Sequence, residues 1–347
     1  MPSPSARPGV QTLTVSSANP LYLFNLKVAL EWDAQQEPGY LDQLTFNLKR
    51  ASQYLYDFTN GQMALGDVTV TQNGEGAADA NILVRANNRL RPYATQGGIV
   101  ISTTADPSPA LKINYDPGQV TMGASWNRYG TPGQSIGDDW ALALAHELGH
   151  YLLFQDETYL GLDKNNFITS IDNGPTGCYG SAMGDLYSDA AATEFIFNPT
   201  AWTKCQNTLA AKTLKRTEWE TMQTWYRALV MPTAMLTGPA ILPFDFTNVT
   251  VITQTLTQTV PLPDPSFYLD YVGGYGSSGE ATAYLLKQDG PRTGVRIVDL
   301  GSPLSGQNRV LARGAVPHQA SGAPGDTLCV FDLSLQQLGL RGGESGR

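Results

Sequence analysis

The stretch DDWALALAHELGHYLLFQDE, residues 138–157, decides how this chain is read. Ser135–Phe154 reads as a helix, with Ser135 or Asp138 as its N-cap. Residues four apart lie on one helical face, so the imidazoles of His146 and His150 can reach a single ion. Glu147, between them, then faces a water bound to that ion. A zinc ion lowers the pKa of such a water toward ~7, and a carboxylate can take its proton. An HExxH run also arises by chance on amphipathic helices. Against chance, the chain has only 3 His, and two of them stand in this motif. The expectation is a Zn2+ site on His146 and His150 with Glu147 as general base.

Working outward toward the N-terminus, Leu26–Trp32 reads as a short apolar strand. Tyr40–Phe58 carries Leu41, Leu44, Leu48, Ala51, Leu55 and Phe58 at helical spacing, and Asn60-Gly61 is a helix stop. Leu65–Thr71, Ala80–Ala86, Gly97–Thr103 and Gln119–Ala124 read as strands. The order strand, helix, four strands, helix predicts an α+β fold: a mixed five-stranded sheet with two main helices packed against it. Beyond Pro232, Pro239 and Pro243 the character changes to short alternating strands, among them Val249–Leu256, Thr282–Lys287 and Thr327–Asp332. These predict a small all-β sandwich. The organisation expected is thus a flexible lead-in over 1–20, a metalloprotease domain over 21–235 and an all-β domain over 240–340.

A zinc site of this kind takes a third protein ligand. The run HELGHYLLFQDE resembles the metzincin pattern HExxHxxGxxH, in which Asp sometimes replaces the last His. Asp156 then holds the final ligand position, with Glu157 as its neighbour and Glu194 as the choice if the ligand came from a later helix. Leu153 stands where that pattern has Gly, so the turn after the helix must be made differently. The second metzincin mark is a methionine turn beneath the metal, and Met183 in CYGSAM fits it. By resemblance to the metzincin proteases, which pair the edge strand before the motif helix with an extended substrate, the fourth strand, Gly97–Thr103, is expected to take that role. Tyr179 and Tyr187 are candidates to steady an oxyanion, with packing aromatics as the alternative.

The first 225 residues or so also resemble the N-terminal metalloprotease domain of the calcium-activated chloride channel regulator family. YLDQLTFNLKRASQYLYDFTNGQMALGDVTV is similar to that family's first helix and second strand. HELGHYLLFQDETY resembles its HExxHxxxGxxDE motif, taken one residue shorter and without the Gly, an alignment that again selects Asp156. SAMGDLYSDAAATEF and TKCQNTLAAKTLKRTEWETM are similar to its later segments. The resemblance implies a secreted zinc endopeptidase acting on protein or peptide substrates. It does not cover the C-terminal β region, whose ligand is left open.

Composition bounds the rest. A net charge of −9 with only 15% charged residues argues against a nucleic-acid partner. No apolar run reaches the ~18 residues that a membrane span needs. The opening MPSPSARPGV has no apolar signal core, so an extracellular or cell-surface location implies a signal or anchor not present in this chain. Of the 3 cysteines, Cys178 and Cys205 flank the methionine turn. A disulfide between them would pin it in an oxidising compartment, two free buried thiols being the alternative. The competing functional reading is a metzincin scaffold used for cell-surface binding or adhesion, and a third is a zinc hydrolase of non-peptide bonds.

Overall fold

The computed structural model describes residues 14–35, 37, 39–86, 90–101, 113–129, 136–171, 177–187, 194–234, 245–253, 266–268, 281–287, 296–301, 309–311, 325–332 and 337–342. The first half runs β1 (Tyr22–Leu30), α1 (Tyr40–Phe58), β2 (Met63–Thr71), β3 (Ile82–Arg85), β4 (Tyr93–Thr95), β5 (Gly98–Ile101), β6 (Ile113–Asp116), β7 (Gln119–Gly123) and α2 (Asp138–Leu153). Then come the short β8 (Leu160–Leu162) and β9 (Ile168–Ser170), the helices α3 (Pro199–Trp202), α4 (Leu209–Leu214) and α5 (Glu218–Trp225), and β10 (Asn248–Val251).

Six strands form one sheet in the order β10-β2-β1-β3-β7-β4. Every pairing is parallel except that of β4 with β7. The period of two explains its layering. Val28, Leu30, Ile82 and Val84 point into the main core with α1 and α2, whereas Ala29 and Leu83 face the other side in a small separate cluster. Helix α1 presents Leu44, Leu48, Ala51, Leu55 and Phe58 to that core, each fully buried. It stops where Asn60 and Gly61 adopt left-handed backbone, with Gly61 N–H donating to the Tyr56 carbonyl at 2.7 Å.

Two strands depart from the sequence expectation. Gly98–Ile101 is not in the main sheet; it pairs with β6 as a separate two-stranded unit, and Thr103 lies outside the described residues. The position beside β7 is filled by the three-residue β4, too short to register as an alternating pattern. Asn248–Val251, expected to open the C-terminal region, joins the main sheet as a parallel edge strand on β2. The α+β class stands, with six strands instead of five and a mainly parallel pairing. Further on, β11 (Ser266–Tyr268) pairs with β14 (Arg309–Leu311). β12 (Ala281–Lys287), β13 (Arg296–Gly301), β15 (Thr327–Asp332) and β16 (Gln337–Gly342) form an antiparallel sheet in the order β13-β12-β15-β16. Among the described residues no helix is long and apolar enough to cross a membrane.

Candidate metal centre

Helix α2 carries the motif through the core. Its N-cap is Gly137, without a side-chain cap; Asp138 is the first helical residue, and Ser135 lies outside the described residues. Asp138 and Asp139 sit at the positive end of the helix dipole, and Arg50 and Arg128 bond them at 2.8 and 2.9 Å. The Trp140 indole N–H donates to the Gly123 carbonyl, fastening the helix to the end of β7. His146, Glu147 and His150 are all buried from this point on.

Each imidazole is oriented from behind. His146 Nδ1 lies 2.9 Å from the Ala182 carbonyl and His150 Nδ1 lies 2.7 Å from the Gln155 carbonyl. A carbonyl only accepts, so both rings carry their proton on Nδ1 when neutral and aim the Nε2 lone pair forward. Both Nε2 atoms face Glu157: Oε2 is 3.3 Å from His146 and Oε1 3.2 Å from His150. Four ligands at ~2.0–2.1 Å from a tetrahedral metal are separated by ~3.3 Å along each edge. The ligand atoms of His146, His150 and Glu157 all lie within 4.8 Å of one another. The donor set therefore fits a zinc-sized ion.

Electrostatics agrees with this arrangement. Burial alone would lower His150, but the hydrogen bond and charge of Glu157, with Glu147 and the Gln155 carbonyl, outweigh it and push the ring up to about 9. Burial raises Glu157, yet the two imidazoles hold it far below the usual carboxylate range. Glu147 is raised by burial, partly offset by the two His, and so has the character of a base.

Asp156 is placed differently from its expected role. The chain reverses at Phe154, which takes left-handed backbone (φ 58°, ψ 36°), and Gln155 N–H donates to the Gly149 carbonyl. The reversal comes one residue later than the Gly of HExxHxxGxxH, so the side chain returned to the imidazoles is also one residue later, Glu157. The Asp156 carboxyl turns aside to a hydrogen bond with Thr213; burial raises it, though it still borders the cavity. Glu194 is buried in a bridge to Ser181 and stands apart from the converging ligand atoms.

Met183 is fully buried beneath α2. A β-carbon on Gly149 would come within 2.6 Å of its Sδ, so the glycine lets helix and methionine meet. The Met183 carbonyl accepts from Thr158 N–H, which ties this turn to the segment carrying Glu157. Cys178 and Cys205 are joined in a disulfide with Cα atoms 4.6 Å apart. Both tyrosines are exposed; Tyr187 lines the cavity, edge-on to Trp126 and beneath the Arg91 guanidinium, and Tyr179 does not line it.

The sequence reading missed Tyr159, whose hydroxyl donates to Glu157 at 3.2 Å and accepts from Arg91 at 2.9 Å. Nothing in the sequence around Glu157 marks it; the contact arises only once Glu157 is turned to the imidazoles. His146, Glu147, His150, Glu157 and Tyr159 open on a cavity of about 550 Å³ bordered by Tyr93 and Ala94 of β4 and by the preceding Pro92. Comparison with protein-family models, with curated proteins and with solved structures finds no match for this chain.

Proposed function

We propose that the chain is a zinc-dependent endopeptidase, with His146, His150 and Glu157 holding the metal. The observation that carries the reading is the convergence of two Nε2 lone pairs and one carboxylate in an open cavity, with Glu147 beside them. Zinc, when bound there, supplies Lewis acidity toward water and the scissile carbonyl. Glu147 takes the proton of the attacking water and passes it to the leaving nitrogen, a role its raised basicity suits. Tyr187 borders the same cavity and is the candidate donor to the carbonyl oxygen as it gains charge, whereas the Tyr159 hydroxyl is committed to Glu157. A peptide in extended form pairs with the outer edge of β4, the edge strand nearest the site, by strand addition. This role moves from the stretch expected over 97–103, of which Gly98–Ile101 pairs with β6 outside the main sheet.

Further support comes from spacing. In HExxHxxxGxxDE read without a gap, the Gly falls on Phe154, the residue in left-handed backbone, and the Asp falls on Glu157. The Cys178–Cys205 bond favours an oxidising, extracellular or cell-surface setting. The C-terminal strands are read as a small β-sandwich. In a casein or peptide-library assay, cleavage should appear with zinc and vanish with a chelator. Glu147→Ala should keep about one zinc per chain and lose cleavage by ~10²–10⁴-fold. Zinc retained by a wild type that cleaves nothing would favour the binding-scaffold reading, and a fully active Glu147→Ala would end the protease one.

A further inference from the structure

Behind the imidazoles lies a carboxylate that the chemistry does not use. Glu218 is the first residue of α5 and is fully buried. Its helix is set by a capping box in which the Thr217 hydroxyl accepts from Glu220 N–H and the Glu220 carboxylate accepts from Thr217 N–H. From that anchored position Glu218 makes three contacts. Oε1 accepts from the Ser181 hydroxyl at 2.6 Å, Oε2 from Ile196 N–H at 2.5 Å, and its backbone carbonyl from Gln155 Nε2 at 3.0 Å.

Two of these contacts lead to the metal ligands. Ser181 Oγ also accepts from Met183 N–H at 2.9 Å, closing the turn whose middle residue, Ala182, offers its carbonyl to His146. Gln155, gripped through its side chain by Glu218 and by the Leu153 carbonyl at 3.1 Å, offers its own carbonyl to His150. One residue thus holds both carbonyls on which the imidazoles hang. An ionisable group in a fully buried place is costly, and an apolar side chain of similar volume would serve mere packing at least as well.

We infer that Glu218 is a positioning residue for the zinc site proposed above, bracing His146 through Ser181 and Ala182 and His150 through Gln155. Partners of this outer kind fix ring orientation, and their loss typically weakens metal binding ~10–100-fold. Only the Ser181 branch depends on the carboxylate itself; the Gln155 branch runs through the backbone and survives substitution.

The experiment measures zinc affinity by chelator competition, together with the melting temperature of the zinc-free protein, for wild type, Glu218→Ala, Glu218→Gln and Ser181→Ala. Glu218→Ala and Ser181→Ala should each weaken zinc by ~10-fold or more. Glu218→Gln, whose amide still reaches both Ser181 and Ile196, should recover most of the affinity. Ser181→Ala removes one hydroxyl and keeps the test available if Glu218→Ala does not fold. Unchanged affinity in Ser181→Ala, or a Glu218→Ala that melts lower but binds zinc as wild type does, overturns the brace and leaves the metal centre standing. A wild type that takes up no zinc overturns the metal centre and the brace with it. Because affinity is the readout, a lack of cleavage has no bearing on the brace.

Discussion

Glu157 and Asp156 are neighbours in the chain and opposites in environment. Glu157 bonds both imidazoles, whereas Asp156 bonds Thr213. Glu157→Ala should therefore abolish tight zinc binding, and Asp156→Ala should leave it within a few-fold of wild type; metal titration of the two variants decides between them. The same contacts fix a pH dependence. In the metal-free protein His150 is raised to about 9 by Glu157, above the ordinary ~6.5 of an imidazole. The ion pair therefore stabilises the metal-free fold fully between ~4.5, below which an unfolded glutamate is protonated, and ~6.5, and loses that contribution as pH rises through about 9. Zinc must displace the His150 proton, so between pH 6 and 8 its apparent affinity should fall ~10-fold per unit of acidification, with about one proton released per ion bound. Calorimetry in buffers of different ionisation enthalpy counts that proton, and uptake without proton release would contradict the charge state argued here.

At the scale of elements, the site depends on how α2 ends and on what the chain does next. The left-handed turn at Phe154 sets which residue of the returning chain meets the imidazoles, and Thr158 N–H then donates to the Met183 carbonyl. The turn around Met183 is tied in turn to the segment before α4 by Cys178–Cys205, a link that closes a loop of sequence separation 27. Replacing both cysteines by alanine should cost ~3 kcal/mol in urea denaturation, and a non-reducing digest of secreted protein should yield the linked peptide. Free thiols at both positions in such material would show that the turn is held without a covalent link.

At the scale of the whole molecule, the main sheet is completed from far along the chain. Thr247 donates its hydroxyl to the Leu65 carbonyl at 3.0 Å, 182 residues apart, and β10 then covers the outer edge of β2. A chain ending at 243 leaves that edge open; one ending at 253 keeps β10. The shorter form should be less stable by roughly 2–4 kcal/mol and prone to aggregate through its bare strand. Equal melting of the two forms would show that the sheet does not need its sixth strand.

Features that repeat locally were legible in the chain. The helical stripe of Tyr40–Phe58, the His-Glu-His face of α2, the strands around Val28 and Val68 and the α+β class all follow from periodicity within one element. The remaining features depend on where loops close and were not legible there. Phe154 takes a left-handed conformation that a non-glycine residue does not advertise, and this moved the candidate ligand from Asp156 to Glu157. Tyr93–Thr95, too short to show a pattern, became an edge strand by pairing with β7, and Asn248–Val251, read as a strand of the C-terminal region, joined the main sheet by pairing with β2. Glu218 could not be singled out among the acidic residues until Ser181, Gln155 and Ile196 met around it. The physical reason is the same in each case: local propensities are worth tenths of a kcal/mol per residue, and the free energy of packing the whole core overrides them wherever a short segment has to choose its partners.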